Sequence, residues 1–147
     1  MHVSLRPATQ QDAEFAYTVE QDAMRSYAEL TWGHWKPAAD RPAYIAGFTP
    51  AGRHLVIAHG EPIGILTVER HPEHLLLAQL YLLSQHRGRG IGLHLLRGVL
   101  ADGHAQRKPV KLRVLKVNIR AQAFYARHGF TVERVEDHHV YMVSPAA

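Results

Sequence analysis

The chain has 147 residues, of which 46% are apolar, and it carries a formal net charge of +4. This length predicts a single domain over residues 1–147, and the modest charge without a run of basic residues argues against a nucleic-acid-binding protein. The absence of cysteine excludes disulfides and thiolate metal sites, and the lack of a leader-like or 18-residue apolar segment predicts a cytoplasmic protein without a membrane partner.

The first half of the chain predicts a strand, a helix and three further strands. Residues 3–6 alternate in polarity, and Thr9 begins a helix whose apolar residues recur every three to four positions as far as Tyr27. Residues 31–41, which contain two tryptophans, interrupt that period and are predicted to be irregular or a second helix. Three β-rich runs separated by short turns then predict antiparallel strands at residues 53–59, 62–70 and 75–83.

The segment 87–92, Arg-Gly-Arg-Gly-Ile-Gly, separates the last of these strands from a helix-like run. A helix start leaves about four backbone N–H groups without intrahelical partners, and glycines let an anion approach them closely. Arg87 and Arg89 add positive charge. The P-loop motif is excluded because Leu93 and His94 follow the last glycine. A dinucleotide-binding motif is excluded because it would need further glycines. The segment therefore predicts a polyphosphate site of another kind.

The second half of the chain predicts a helix, a strand, another helix and a hairpin. The first of these helices runs from Ile91 to about Gln106, and Gly98 inside it predicts close packing at that point. Asn118 is placed to cap the second helix. The strands are predicted at residues 110–117, 131–135 and 140–143. Together the elements predict an α/β sheet with a central crossover, unlike a doubly wound Rossmann domain.

Two motifs occur in a fixed order along the chain. The first is R-x-x-G-x-G at residues 87–92, and the second is N-x-x-A-x-x-F-Y-x-x-x-G-F, which runs from Asn118 to Phe130. With a predicted helix and strand between them, these motifs resemble the GNAT superfamily of N-acetyltransferases. The resemblance implies a mixed, mostly antiparallel central sheet with splayed fourth and fifth strands, flanked by about four helices.

The resemblance also implies that acetyl-coenzyme A is the cosubstrate and that the amides of one loop hold its pyrophosphate. These amides belong to Arg87, Gly88, Arg89, Gly90, Ile91, Gly92 and Leu93. Backbone groups of Leu82 and Leu83 would meet the pantetheine arm, and one of their N–H groups would stabilise the oxyanion. Asn118 would orient the pantetheine end. Tyr125, which keeps its proton at neutral pH, would donate to the leaving thiolate.

The general base is left open by the same resemblance. Many relatives carry a carboxylate on the fourth strand, and the matching position here is Gln79, which cannot accept a proton at physiological pH. If a base is needed, a water relay, Glu69 on the neighbouring strand, or a histidine such as His71 or His74 would replace it. The twelve histidines lack metal-ligand spacing, so no catalytic metal is predicted.

Acceptor selectivity is expected from the first helix and the segment after it. Tyr27 and Trp32 are predicted to form part of an aromatic and partly acidic pocket for a cationic amine, and Gln79 is also assigned to acceptor binding. Further candidates for the pocket are Glu20, Glu29, Trp35 and, on the last hairpin, Tyr141.

The leading hypothesis is an acetyl-coenzyme A dependent N-acetyltransferase that acts on a primary amine of a small molecule, a peptide or a protein. The alternative is a noncatalytic acyl-coenzyme A sensor or binding module, which the missing carboxylate at Gln79 motivates. A nucleic-acid-binding domain rests only on the mild positive charge and is not predicted. The resemblance also makes a homodimer a reasonable expectation.

Overall fold

The computed structural model describes residues 2–35 and 41–146, so part of the predicted irregular segment 31–41 lies outside the described residues. Seven strands and four α-helices lie in this part of the chain. The strands are β1 (Val3–Pro7), β2 (Arg53–Ala58), β3 (Glu61–Arg70), β4 (Leu75–Leu82), β5 (Val110–Leu115), β6 (Thr131–Val135) and β7 (His139–Ser144). The helices are α1 (Ala13–Trp32), α2 (Arg41–Ala46), α3 (Ile91–Gln106) and α4 (Ile119–Arg127), with short 3₁₀ turns at Gln10–Asp12 and Ser84–His86.

One sheet contains all seven described strands, in the order β1-β2-β3-β4-β5-β7-β6. The pairs β1–β2, β2–β3, β5–β7 and β6–β7 are antiparallel, whereas β4 and β5 run parallel. Among the described residues, the parallel pair registers only Leu75 with Val110 and Leu76 with Lys111. The mixed, mostly antiparallel sheet with four helices confirms the predicted fold class, and the short β4–β5 pairing agrees with the expected splay.

The chain divides into two compact units, of which the first contains Met1–Thr67 and Gln79–His94. In this unit α1 packs through small residues, because Ala13, Ala16 and Val19 recur every three positions and are almost fully buried. The same hydrophobic cluster includes Phe48, Leu55 and Ile65. Small side chains let the helix backbone approach the strands, and each fully buried Leu or Ile contributes about 1.5–3 kcal/mol relative to an exposed one.

Helix α1 continues past its predicted end at Tyr27 and stops at Trp32. Gly33 terminates it in the left-handed conformation, with φ of 82°, and the Gly33 N–H donates to the Glu29 carbonyl over 2.8 Å. Leu30 is 71% exposed, so the last turn of α1 presents an apolar side chain to solvent. The helix end is therefore set by the glycine and not by the apolar period.

The second unit contains Val68–Ala78 and Leu95–Ala147. Alternate residues of β7 are buried in it, as expected for a strand that is covered on one face, and β5 buries Val110, Leu112 and Leu115. Gly103 of α3 lies against the start of β5, because a Cβ there would stand 2.9 Å from Cγ2 of Val110. The close packing predicted at Gly98 is wrong, since a Cβ at that position would meet no described atom within 4 Å.

Other expectations from the sequence concern the chain as a whole. The single domain over residues 1–147 stays a prediction. No helix in the described part of the chain is long and apolar enough to cross a membrane. Within the same residues, no group of three or more His, Cys, Asp or Glu side chains is arranged to hold a metal ion.

Candidate active site

The loop between β4 and α3 is anchored to α1 by one carboxylate. Asp22 of α1 accepts a hydrogen bond from the Ser84 N–H over 3.0 Å and another from Nη2 of Arg87 over 2.9 Å. The Nε atom of Arg87 donates to the Leu82 carbonyl over 2.9 Å. Arg87 therefore braces the loop through its bonds to Asp22 and Leu82, and Asp22 balances the charge of its guanidinium.

The rest of the loop is open and turns on its glycines. Gly88 and Gly90 have φ of 76° and 80°, and a Cβ at Gly88 would meet no described atom within 4 Å. Helix α3 begins at Ile91, and the His94 N–H donates to the Gly90 carbonyl over 3.0 Å. The amides of the first turn precede that bond and have no helical acceptors. Arg89 is exposed and has no ion-pair partner among the described residues, so the loop fits a polyphosphate.

The backbone of Leu82 and Leu83 is largely occupied by hydrogen bonds within the protein. The Leu82 carbonyl accepts from Arg87, the Leu83 N–H donates to the Ile63 carbonyl over 2.9 Å, and the Leu83 carbonyl accepts from the His86 N–H over 2.9 Å. A pantetheine arm that used these groups would have to share or displace those bonds. The roles assigned to Leu82 and Leu83 stay predictions, and the engaged Leu83 N–H is the weaker candidate oxyanion donor.

Strand β4 passes very close to β3 at Gly64. A Cβ at this position would stand 2.3 Å from the Tyr81 carbonyl oxygen and 2.7 Å from Cδ2 of Leu82. Only glycine fits without displacing the end of β4. Sequence reasoning did not identify Gly64, although an isolated glycine inside a strand pattern is the usual signal of a close backbone approach.

Gln79 of β4 lies at the centre of a polar network in the first unit. Its Oε1 accepts hydrogen bonds from Nη1 of Arg53 over 2.7 Å and from the Thr67 hydroxyl over 2.8 Å. Its Nε2 donates to Oε1 of Glu20 on α1 over 3.2 Å. Sequence reasoning gave Glu20 only a place in the acceptor pocket and did not connect it with Gln79.

The surroundings of Glu20 shift its proton affinity. Burial raises the pKa of Glu20, while Tyr44, Arg53 and Gln79 oppose that shift by favouring the charged form. The buried Tyr44 hydroxyl has no partner within hydrogen-bond geometry among the described residues. Burial raises the pKa of Tyr44, and the nearby charge of Glu20 raises it further. Glu20 is therefore a carboxyl group that holds its proton to higher pH than an ordinary glutamate.

Glu69, the carboxylate proposed from sequence as a base, is an exposed residue of the second unit. Its Oε1 lies 3.1 Å from Nε2 of His71, whose ring stacks on that of His74 with centroids 4.6 Å apart. Burial, and then the neighbouring His71, lower the pKa of His74. Gln79 belongs to the first unit. The catalytic role of Glu69 stays a prediction.

Tyr125 of α4 is buried in the second unit, with 9% of its surface exposed. Its ring packs edge-on against Phe124 and Phe130, with centroids 5.2 and 5.4 Å apart. Burial raises the pKa of Tyr125 to about 12, so the hydroxyl is protonated at neutral pH. Such a group is a weaker acid than a thiol, whose pKa is about 8.5 in cysteine. This favours a hydrogen bond to a sulfur over complete proton transfer.

Asn118 caps α4, as predicted. Its Oδ1 accepts a hydrogen bond from the Ala121 N–H over 3.1 Å. Because this oxygen serves the helix, a side-chain contact between Asn118 and a coenzyme would have to come from Nδ2. The coenzyme role of Asn118 stays a prediction beside its established role as a cap.

Tyr27 and Trp32, the predicted acceptor residues, both lie on α1. Five positions separate them, which places them about 140° apart around the helix, so they do not share one face. Tyr27 follows Glu20 by seven positions and lies within about 20° of it. The structure therefore groups Tyr27 with Glu20, while Trp32 is 44% exposed on another face of the helix.

The chain matches a family model described as an acetyltransferase (GNAT) domain over residues 50–132, which is more than half of its length. An acetyltransferase from Thermus thermophilus is 25% identical, with a TM-score of 0.77 and coverage of 99% of this chain and 97% of that one. The PaiA N-acetyltransferase from Thermoplasma acidophilum, solved with coenzyme A, is 18% identical, with a TM-score of 0.72 and 99% coverage of both chains.

A third similar structure is Naa20 from Chaetomium thermophilum, solved in complex with a bisubstrate analogue. It is 18% identical, with a TM-score of 0.69 and coverage of 97% of this chain and 86% of that one. These likenesses extend over nearly the whole chain and support the fold, while the family model identifies the sequence itself. The chain belongs to the GNAT family of acetyltransferases.

Proposed function

We propose that this protein transfers an acetyl group from acetyl-coenzyme A to a primary amine of a small molecule, a peptide or a protein. Family membership supports acetyl transfer, and the observation that carries the proposal is the loop between β4 and α3. Its glycines keep side chains away from the backbone, and the start of α3 offers amide donors to an anion. Exposed Arg89 adds charge that is not balanced by an ion pair among the described residues.

The loop fits the pyrophosphate of coenzyme A, and the backbone of residues 87–93 would hold it. When bound, the coenzyme supplies an acetyl group that is activated as a thioester. Arg87 contributes by bracing the loop through Asp22 and Leu82, so that its role is to shape the site. Tyr125 would donate a hydrogen bond to the sulfur, since its hydroxyl remains protonated at neutral pH.

The acceptor must lose a proton before it can attack the thioester. An amine with a lysine-like pKa of about 10.4 is almost entirely protonated at neutral pH, so catalysis needs a base or a proton-carrying water. Among the similar proteins, one was solved with coenzyme A and another with a bisubstrate analogue. Both support acetyl-coenzyme A as the cosubstrate here, and neither identifies the amine.

The experiment is a thiol-release assay with acetyl-coenzyme A and a panel of polyamines, aminoglycosides, amino acids and peptides. Wild-type protein is expected to release thiol with at least one amine. Gly90→Val, which forces a branched residue into a positive φ, is expected to abolish coenzyme A binding in calorimetry. Gly98→Ala serves as the control and should bind normally. Tight coenzyme binding without turnover on any amine would favour the alternative of a noncatalytic acyl-coenzyme A sensor.

A further inference from the structure

We propose that Glu20 is the catalytic residue that takes a proton from the acceptor amine, and that Gln79 is its positioning residue. This inference rests on the proposed function. It starts from the network around Gln79, in which an amide that cannot accept a proton holds a carboxylate that can. The carboxylate expected on the fourth strand is thereby supplied from α1.

The orientation of the Gln79 amide follows from its partners. Arg53 has only donors, and its Nη1 lies 2.7 Å from the Gln79 side chain, so the atom facing it must be the carbonyl oxygen. The Thr67 hydroxyl donates to the same oxygen. The amide nitrogen consequently faces Glu20, and this fixes one carboxylate oxygen of Glu20 as an acceptor. This bond engages only one of the two carboxylate oxygens, and an acceptor amine would share the other with the nearby Tyr44 hydroxyl, which favours the charged form of Glu20.

An ammonium group is the donor that suits the remaining oxygen. Glu20 is only partly buried as a residue. Tyr27 lies on the same face of α1, seven residues further on, and offers an aromatic ring to a cation. One helix face thus carries both a carboxylate and an aromatic side chain. These are two of the groups that bind an alkylammonium ion.

The groups that act on Glu20 come from three elements. They are Tyr44 of α2, Arg53 of β2 and Gln79 of β4. Burial raises the pKa of Glu20 toward the range in which a general base is effective at neutral pH. Tyr44, Arg53 and Gln79 oppose this shift by favouring the charged form of Glu20.

The proposed step balances in atoms and charge. Glu20 removes one proton from the ammonium group, and the nitrogen lone pair forms a bond to the thioester carbonyl carbon. The carbon–sulfur bond then breaks, and the sulfur leaves with the bonding electrons. The second proton lost by the nitrogen ends on the sulfur, and the proton on Glu20 passes to solvent. The products are an acetamide, a free thiol and one proton.

If the network around Gln79 were only structural, it would hold α1 against the strands and would take no part in proton transfer. The two roles differ in their pH dependence. A base is needed while the amine is protonated, and it loses its advantage near the pKa of the amine, at about pH 10 for a lysine-like amine. Loss of a tether would lower activity by a similar factor at every pH.

The experiment compares wild type, Glu20→Gln and the control Glu14→Gln, using acetyl-coenzyme A and the amine from the panel that wild type acetylates. Glu14 is an exposed residue earlier in α1 that pairs with Arg41, and its variant should match wild type. Glu20→Gln should lower kcat by about a hundredfold or more at pH 7, with an unchanged KM for acetyl-coenzyme A. The deficit should shrink steadily as the pH rises toward 10.

A Glu20→Gln rate within about threefold of wild type, or a deficit that stays constant from pH 7 to 10, would overturn the inference and leave acetyl transfer intact. If wild type acetylates no amine, the proposed function fails, and the inference fails with it. Should Glu20→Gln not fold, Glu20→Asp keeps the charge and withdraws the carboxylate by one methylene. Full wild-type activity of Glu20→Asp would also contradict the assignment, since the expected result is a lower kcat with the wild-type pH dependence.

Discussion

The Nε2 atom of Gln79 donates a hydrogen bond over 3.2 Å to Oε1 of Glu20, which links the fourth strand to a carboxylate on the first helix. The two residues are 59 positions apart in the chain. In the mechanism that we propose, the strand residue Gln79 positions an acid instead of being one.

Replacing Gln79 by Glu should move the pH dependence of the reaction. The new carboxylate would keep Arg53 as a partner, but its second oxygen would face Glu20 at the distance of the present hydrogen bond. Two carboxylates that close share a proton, which raises the pKa of Glu20 further. We expect the acidic limb of the kcat/KM profile to move to higher pH by about one unit or more.

A matched control for this variant exists on α3. Nε2 of Gln106 donates to Oδ1 of Asp102 over 2.6 Å, so Gln106→Glu creates the same kind of carboxylate pair elsewhere. Its kcat/KM profile should coincide with that of wild type. A profile of Gln79→Glu that also coincides with wild type would show that Glu20 does not titrate in the reaction.

Asp22→Asn should weaken coenzyme binding by loosening the loop. The variant loses the charge that holds Nη2 of Arg87 and the Ser84 N–H. Loss of a charge-assisted hydrogen bond costs about 1.5–3 kcal/mol, so we expect the KM for acetyl-coenzyme A to rise by about tenfold or more. Steady-state kinetics at saturating amine measure this.

Asp102→Asn is the control for the loss of an aspartate–arginine pair. Asp102 binds Arg70 over 2.7 Å, and neither residue belongs to the loop. This variant should leave the KM for acetyl-coenzyme A unchanged. Equal increases in KM for both aspartate variants would mean that the anchoring by Asp22 is not specific to the coenzyme loop.

Ultraviolet titration should detect the raised pKa values of Tyr125 and Tyr44. The chain has six tyrosines, and burial raises the pKa of these two above the ordinary value of 10. In an ultraviolet titration of the folded protein, Tyr125 and Tyr44 should therefore ionise above pH 10. Tyr125→Phe should remove one late-titrating group, and an unchanged late phase would contradict its burial as a neutral hydroxyl.

The raised pKa of Tyr125 makes the free energy of unfolding depend on pH in the alkaline range. The folded state holds the Tyr125 proton to about pH 12, whereas the unfolded chain releases it near pH 10. The contribution of Tyr125 is thus complete below pH 10 and is lost as the pH rises from 10 toward 12. Urea unfolding at pH 9 and pH 11 should show a smaller loss of unfolding free energy for Tyr125→Phe than for wild type.

Gly64→Val and Gly98→Ala should change stability in opposite directions. At Gly64 a Cβ would meet the Tyr81 carbonyl at 2.3 Å, so β4 must shift, at a cost of about 1–3 kcal/mol or more. At Gly98 the helix surface is open, and alanine should stabilise the protein by about 1 kcal/mol. Urea unfolding measures both values. A neutral Gly64→Val variant would contradict the close approach of the two strands.

Asn118 offers a way to separate capping from coenzyme binding. Asn118→Ala removes the acceptor for the Ala121 N–H and should lower the unfolding free energy by about 1 kcal/mol. Asn118→Ser restores a capping oxygen and should restore stability. If Asn118 also contacts the coenzyme, the serine variant will be as stable as wild type but will keep a raised KM for acetyl-coenzyme A. Recovery of both quantities would assign Asn118 to capping alone.

Local patterns predicted the elements of this fold well. Alternating polarity located the strands, and Asn118 marked the start of α4. Gly88 and Gly90 adopt a positive φ, which is a property of a single residue that glycine tolerates freely. Prediction failed where packing between elements decides the outcome. Helix α3 approaches β5 closely at Gly103 and not at Gly98, because the path of the neighbouring strand determines which glycine is crowded.

The sequence by itself determined the family motifs, the order of the elements and the glycine turns of the loop, because these depend on residues within a few positions of one another. Only the tertiary structure decided that Asp22 occupies Arg87 and that Glu20 meets Gln79. Both contacts join α1 to residues about 60 positions later. Local periodicity does not specify such pairs, which arise when the chain buries α1 against the sheet and its polar side chains must find partners there.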